Sequence, residues 1–271
     1  MEKLNKRDIL KILEITRQAG KAIIKVYNSN NFGIEYKKDK SPLTIADKKS
    51  NDVILNNLKE LYPEIPILSE EEKDIPYDKR KNWRYFWLID PLDGTKDFIK
   101  RNGEFTVNIA LVYKNKPVFG VVYAPVLDII YYAIEGEGAF RQEKKMVLQK
   151  LPIEIKDGFA KNNNKITVVA SRSHTSDETN EYIKGVKEKY SNVEVTSIGS
   201  SLKLCIVAEG KADVYPRFGP TMEWDTAASQ IIVEQSGGKV INAKTKDPLR
   251  YNKKNLLNPW FIVEGRDFKT Q

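Results

Sequence analysis

Asp90 and Asp93 stand at the end of the apolar run Trp87-Leu88-Ile89, with Gly94 and Thr95 directly after them. Pro91 stiffens the turn between the two acids, and Gly94 removes the side chain that would keep a ligand from the backbone. Carboxylates spaced this way can converge on one point, where, unpaired, they would repel until at least one kept its proton. A hard divalent cation removes that conflict, because Mg²⁺ takes a few carboxylate oxygens and fills its shell with water and substrate phosphate. The chemistry open to this stretch is metal-assisted work on a phosphate.

Three more segments supply suitable oxygens: Asp47, Glu70 and Asp225. Each has a plainer role available. Thr44-x-x-Asp47 fits a capping box at a helix start, residues 70–72 fit a solvated acidic turn, and Asp225 fits the cap of a following helix. Other chemistries lack their residues. The chain has one histidine, His174, and one cysteine, Cys205, so a zinc site built on several such ligands is excluded within it. Lys211 stands six residues after Cys205, where a cysteine phosphatase loop needs arginine. There is no G-x-S-x-G elbow and no G-x-x-x-x-G-K-[ST] loop. Carboxylates and hydroxyls must carry the reaction.

The 271 residues suffice for one large domain or two packed halves, and an apolar fraction of 41% supports a sizeable core. The net charge of +8 is spread over 45 basic residues interleaved with 37 acids, without a long basic block. That pattern favours a solvated lysine-rich surface and small anions over nucleic acid. No run approaches membrane-spanning length and no hydrophobic core follows the lysine-rich start, so a cytoplasmic protein is expected, without stable membrane insertion.

The elements that must position these side chains follow from periodicity. Residues 3–27 carry a helical stripe, 34–37 read as a short strand, and Ser41-Pro42 opens a second helix reaching about residue 61. The strand at 85–89 delivers Asp90. Runs at 106–113, 118–123, 129–134 and 138–140 predict an antiparallel meander. After a weakly patterned boundary at 156–165, strands at 166–170, 193–196 and 212–215 alternate with helices at 177–190, 200–209 and 224–235, the last closed by Gly237-Gly238. The expected class is α+β, with mixed sheets and layered helices. Residues 1–155 would form an N-terminal half holding most acids, and 156–271 a C-terminal half holding Asp225.

Taken together, the motifs resemble the lithium-sensitive, Mg²⁺-dependent phosphatases that include inositol monophosphatases and fructose bisphosphatases. The first signature is Leu88-Ile89-Asp90-Pro91-Leu92-Asp93-Gly94-Thr95; the second is Trp224-Asp225-Thr226-Ala227-Ala228 with Gly237-Gly238; Glu70-Glu71 follows Leu68-Ser69. Within that superfamily the chain is most similar to the CysQ-type 3′(2′),5′-bisphosphate nucleotidases. Residues 93–106, Ser171-Arg172-Ser173-His174, residues 197–203 and residues 215–221 carry the narrower likeness. An inositol monophosphatase would show T-N-F in place of Lys96-Asp97-Phe98, and Asp97 stands where glutamate is common.

The resemblance implies a layered αβαβα sugar-phosphatase fold and two or three Mg²⁺ held by Glu70, Asp90, the Leu92 carbonyl, Asp93 and Asp225. Thr95, hydrogen-bonded to Asp47, would orient and help deprotonate a water, with Glu70 assisting. Backbone N–H groups at Gly94 and Thr95 would bind phosphate oxygens. Ser173, His174, Ser200, Lys203 and Arg217 would hold the rest of a nucleotide bisphosphate, with Ser201 an alternative hydroxyl donor and Ser200 equally suited to capping the next helix. The implied reaction is hydrolysis of 3′-phosphoadenosine 5′-phosphate (PAP) to AMP and phosphate, extending to the 5′-phosphosulfate (PAPS), by a monomer with room for peripheral association at the inner membrane face. An inositol-phosphate phosphatase, or a non-catalytic nucleotide- or nucleic-acid-binding protein, are the alternatives.

Overall fold

In the computed structural model the first helix, α1 (Lys6–Tyr27), starts where Asn5 accepts the N–H groups of Arg7 and Asp8 while Asp8 returns a bond to the Asn5 N–H. This reciprocal cap satisfies donors that a helix start otherwise leaves open. Residues 4–29, 31–37, 41–72, 75–144, 146–153, 165–170 and 176–268 are described. Among them, Ile9, Ile12, Ile15, Ala19, Ile23 and Val26 form the buried stripe of α1. No helix among the described residues is long and apolar enough to cross a membrane.

The second helix starts later than Ser41-Pro42. Pro42–Leu43 (β2) instead pairs antiparallel with Glu35–Tyr36 (β1), and α2 runs Ile45–Leu61 from an N-cap at Thr44. The reason is local. The Thr44 hydroxyl accepts the Ala46 N–H, and the Asp47 carboxylate takes the Thr44 N–H at 2.7 Å, so the helix begins where its donors find partners.

Next in order come β3 (Ile67–Ser69), a 3₁₀ turn Glu70–Glu72, α3 (Tyr77–Arg80), β4 (Tyr85–Asp93), α4 (Thr95–Ile99), β5 (Thr106–Tyr113), β6 (Lys116–Ala124), β7 (Ile129–Ile134), β8 (Gly138–Glu143) and β9 (Gln149–Lys150). The strands from β3 to β9 form one seven-stranded sheet in sequence order. Pro117 lies inside β6, one residue before the run the sequence pattern marks; its missing donor falls at the irregularity where Val112 pairs with Pro117 and Leu111 with Phe119.

The chain then gives β10 (Lys165–Ala170), α5 (Asp177–Lys189), β11 (Asn192–Ser197), α6 (Leu202–Ala208), β12 (Val214–Arg217), α7 (Glu223–Gln235), β13 (Lys239–Asn242) and β14 (Phe261–Glu264). Their sheet has five strands in the order β11-β10-β12-β14-β13, parallel in its first half and antiparallel in its second. Neither β13 nor β14 is foreseen by the sequence pattern, and residues 156–164 of the expected boundary lie outside the described residues.

Three apolar clusters define the layers. One packs α1 and α2 on one face of the seven-stranded sheet; a second fills the space between the two sheets with α6 and α7; a third sits under α5 on the far face of the smaller sheet. The stacking is αβαβα, the α+β architecture expected. At Gly120 the α7 backbone lies so close that a Cβ would stand 2.4 Å from the Ala228 carbonyl oxygen. Helix α7 therefore rests directly on the larger sheet and brings its first turn to the end of β4.

Candidate active site

Asp90 and Asp93 are not joined by a turn. Strand β4 continues through both, and its register against β5 slips between them: Asp90 faces Asn108 while Asp93 faces Thr106. Three steps on one strand match two on the other, so β4 carries one extra residue. Residues three apart on a regular strand point to opposite faces. The bulge cancels that alternation and puts both carboxylates on the same face. Gly94 then turns the chain at φ +92°, where an added Cβ would stand 3.2 Å from the Ser200 Cβ and 3.3 Å from the Glu104 carbonyl oxygen.

The other acids arrive by register and packing. β3 runs parallel to β4 with Leu68 beside Leu88 and Ser69 beside Ile89, so the next residue, Glu70, comes level with Asp90. Asp225 lies in the first turn of α7, where its Oδ2 accepts the Met222 N–H at 2.8 Å; it is a partner of the cap and not the cap itself. Asp47 does two things at once. Its Oδ2 completes the cap of α2, and its Oδ1 accepts the Thr95 hydroxyl at 3.2 Å.

One cavity of about 400 Å³ is lined by Glu70, Asp90, Leu92, Asp93, Gly94, Thr95, Ser200, Lys203, Arg217 and Asp225. Asp47 stands behind Thr95. Ser173 and His174, with the rest of residues 171–175, lie outside the described residues. Ser200, at φ +45°, is not the N-cap of α6; that position is Ser201, and the Ser200 hydroxyl lies 3.2 Å from the Thr106 hydroxyl.

The electrostatics are those of acids held together out of water. Burial, then the charges of Glu70, Asp93 and Asp225, pushes the Asp90 carboxyl well above the usual range. Burial and the neighbouring Asp93 and Glu70 do the same to Asp225. Asp93 is raised by burial although Lys203 and the Ser201 hydrogen bonds pull it back. Burial lifts Asp47 to about 6 against the bonds from Thr44. On the other wall, burial lowers the Lys203 ammonium to about 8 despite Asp93.

A hard cation fits this donor set. The donors are all oxygen, and Asp90, Asp93 and Asp225 each accept hydrogen bonds through one oxygen only, the other taking none among the described residues. No three acids, imidazoles or thiolates among the described residues already close on one point as direct ligands. The Glu70 Oε1 accepts from Lys37 Nζ at 2.7 Å, and Lys37 also reaches Glu71 at 2.8 Å. Burial works against the Lys37 charge, but these two carboxylates outweigh it and raise its pKa. No local sequence signal marks Lys37. Asn108 leaves a faint one, since Thr106 and Asn108 are the polar pair on one face of an otherwise apolar strand.

A model of the inositol monophosphatase family matches residues 5–265. The chain belongs to the inositol monophosphatase family. Among curated relatives in this family, the 3′(2′),5′-bisphosphate nucleotidase CysQ of Salmonella typhimurium is 48% identical over 254 residues, 93% of this chain and 97% of that one. CysQ of Escherichia coli K12 is 45% identical over the same shares. The crystal structure of CysQ from Bacteroides thetaiotaomicron, a bacterial member of the inositol monophosphatase family, superposes with a TM-score of 0.84 at 44% identity, covering 97% of this chain and 98% of that one.

Proposed function

We propose that this chain is a Mg²⁺-dependent 3′(2′),5′-bisphosphate nucleotidase that hydrolyses PAP to AMP and phosphate and takes PAPS in the same way. The observation that carries this reading is the pairing, in one cavity, of a carboxylate wall with two cations, Lys203 and Arg217. A phosphomonoesterase for a monophosphate needs only the first. The relatives named CysQ nucleotidases, at 45% and 48% identity, point the same way.

In this reading Glu70, Asp90, the Leu92 carbonyl, Asp93 and Asp225 hold two or three Mg²⁺. Magnesium bound there supplies Lewis-acid activation of water and neutralises charge at the phosphate. The protein's own part begins at Thr95. By donating its hydroxyl proton to Asp47, Thr95 keeps its lone pairs for a water in the cavity, and Asp47, at about 6, is suited to draw the proton onward near neutral pH. The backbone N–H groups at Gly94 and Thr95 are the donors this reading assigns to the phosphate oxygens. Glu70, released from Lys37, assists from the same wall.

Arg217 and Lys203 take the phosphate that is not cleaved. The Arg217 guanidinium gives one bond to the Pro220 carbonyl at 2.9 Å, and its buried Nε has no partner among the described residues. A buried donor left open costs free energy until an anion fills it. Ser200 lines the same wall. Ser173 and His174 belong to this reading as substrate contacts, His174 near the adenine. The enzyme acts as a monomer in the cytoplasm, and nucleic acid is not its substrate.

The test is phosphate release from PAP, PAPS, inositol monophosphate and fructose bisphosphate, with Mg²⁺ and with a chelator. PAP cleaved fastest and only with metal is the expected result. Equal turnover of inositol monophosphate would replace the substrate assignment, and turnover under chelation would remove the metal.

A further inference from the structure

Asp93 is gripped from one side. Its Oδ2 accepts the Ser201 N–H at 2.6 Å and the Ser201 hydroxyl at 2.7 Å, with the Asn108 amide at 3.5 Å, while Oδ1 takes no hydrogen bond among the described residues. The Ser201 oxygen is itself held, accepting from Asn108 Nδ2 at 2.9 Å, and its hydroxyl is also within donating distance, 2.8 Å, of the Asp225 carbonyl. Asn108 accepts in turn from the Thr106 hydroxyl at 3.0 Å. Ser201, Asn108 and Thr106 are almost wholly buried.

Burying three polar side chains in a seam between apolar layers costs more than filling it with carbon, unless each is bonded. Here each is bonded, and the bonds run toward two acids. The backbone adds a second sign of purpose. Ser200 adopts φ +45°, a left-handed conformation unfavourable for a residue with a Cβ, and the turn it makes aims both the N–H and the hydroxyl of Ser201 at one carboxylate oxygen.

We propose that Ser201 and Asn108 are positioning residues for the divalent cation. They hold Asp93 through Oδ2, which commits Oδ1 to the cation. This rests on the assignment of Asp93 as a ligand made above. It also gives Ser201 a different task from donating to substrate: its hydroxyl has one proton, and the charged carboxylate is the stronger acceptor.

The test is Mn²⁺ binding to the full chain without nucleotide, followed by electron paramagnetic resonance, with Mg²⁺ as competitor. Ser201→Ala should weaken binding by roughly tenfold or more, the scale on which removing a ligand's hydrogen-bond partner acts. Raised Mg²⁺ should restore its turnover, with KM for PAP at saturating metal unchanged. Asn108→Ala should weaken binding in the same direction but less, and carries the test alone if circular dichroism shows Ser201→Ala unfolded. Asp93→Asn separates the two levels of the argument. If it abolishes Mn²⁺ binding while Ser201→Ala and Asn108→Ala bind as the natural chain does, the positioning role is overturned and the ligand assignment stands. If Asp93→Asn binds undiminished, the ligand assignment fails and the proposal with it.

Discussion

The acidic and the cationic walls of the cavity are built in opposite ways. On the acidic wall every aspartate is tied down: Asp90 by the Leu92 N–H, Asp93 by Ser201, Asp225 by the Met222 N–H, and Asp47 by Thr44 and Thr95. On the cationic wall, among the described residues, Lys203 makes one long hydrogen bond, 3.4 Å to the Ile198 carbonyl, and lies over the Tyr215 ring at 5.9 Å, while Arg217 leaves a buried donor open. The aspartates of the first wall are held in place against the repulsion of their own charges. The cations of the second make fewer hydrogen bonds among the described residues. We read this as a division of labour, in which the chemistry needs fixed geometry and the uncleaved phosphate supplies the order the cations lack.

That comparison breaks first if the acids prove dispensable. Asp90→Asn or Asp225→Asn should lower phosphate release from PAP roughly a thousandfold or more, about 4 kcal/mol of transition-state stabilisation. The fold should persist, and the chelated variants should melt no lower than the chelated natural chain, because the substitution removes a charge that burial and its neighbours already oppose. Phosphate release and thermal melting on the same samples check both halves of the claim. Normal turnover by either variant would mean that the acidic wall has some other purpose.

Thr95→Ala should come next, at roughly a hundredfold or more in kcat, the usual range for a lost proton relay. Thr95→Ser keeps the hydroxyl and should recover most of the rate. Similar losses for both would show that Thr95 acts through its methyl group and packing. The Asp47 partner is harder to isolate, since Asp47→Asn also disturbs the cap of α2, worth about 1 kcal/mol.

The cationic wall should fail differently. Arg217→Ala and Lys203→Ala should raise KM for PAP by roughly ten- to a hundredfold, as expected for losing a charge-assisted bond of about 1.5–3 kcal/mol. The effect on a nucleoside monophosphate substrate should be small, because the lost cation faces a phosphate that substrate lacks. Equal effects on both substrates would place Lys203 and Arg217 at the scissile phosphate and erase the division between the walls.

The two walls also differ in how legible they are in the chain. Asp90 to Thr95 announces itself because strand, bulge, glycine and hydroxyl all lie within six residues. Even so, the pattern reads as a turn between the two acids where the structure has a bulge; a bulge is a property of two strands, and β5 is not visible from β4. Asp47 was ambiguous between a helix cap and chemistry, and the ambiguity was real: one oxygen caps α2 and the other meets Thr95. The layered α+β class followed from periodicity, which reports burial on each element. β13 and β14 escaped because four residues are too few for a period to show, and they gain their strand character from pairing with each other and with β12. Lys37 and the Ser201 grip on Asp93 span 33 and 108 residues of chain, contacts that no local pattern encodes.

The smallest effect should appear in stability and not in rate. A carboxyl whose folded pKa exceeds its unfolded value keeps a proton in the native state that the unfolded chain has released, so stability falls as pH rises through that interval. For Asp47 the interval runs from 3.8 to about 6, and the upward shifts of Asp90 and Asp225 act in the same direction. Lys203 has the opposite sign, since its ammonium is lowered from 10.5 to about 8, but it acts only above that value. The chelated chain should therefore melt several degrees lower at pH 7.5 than at pH 5, on a scale of about 2–4 °C per kcal/mol for a chain of this size. Magnesium substitutes for the protons and should stabilise the chain more at pH 7.5 than at pH 5. The cationic wall gives the matching control: PAP added without metal should also raise the melting temperature, and Arg217→Ala should abolish that gain while leaving the magnesium gain intact. If magnesium stabilises equally at both pH values, the acids are not competing for it with protons, and the wall is less strained than its burial implies.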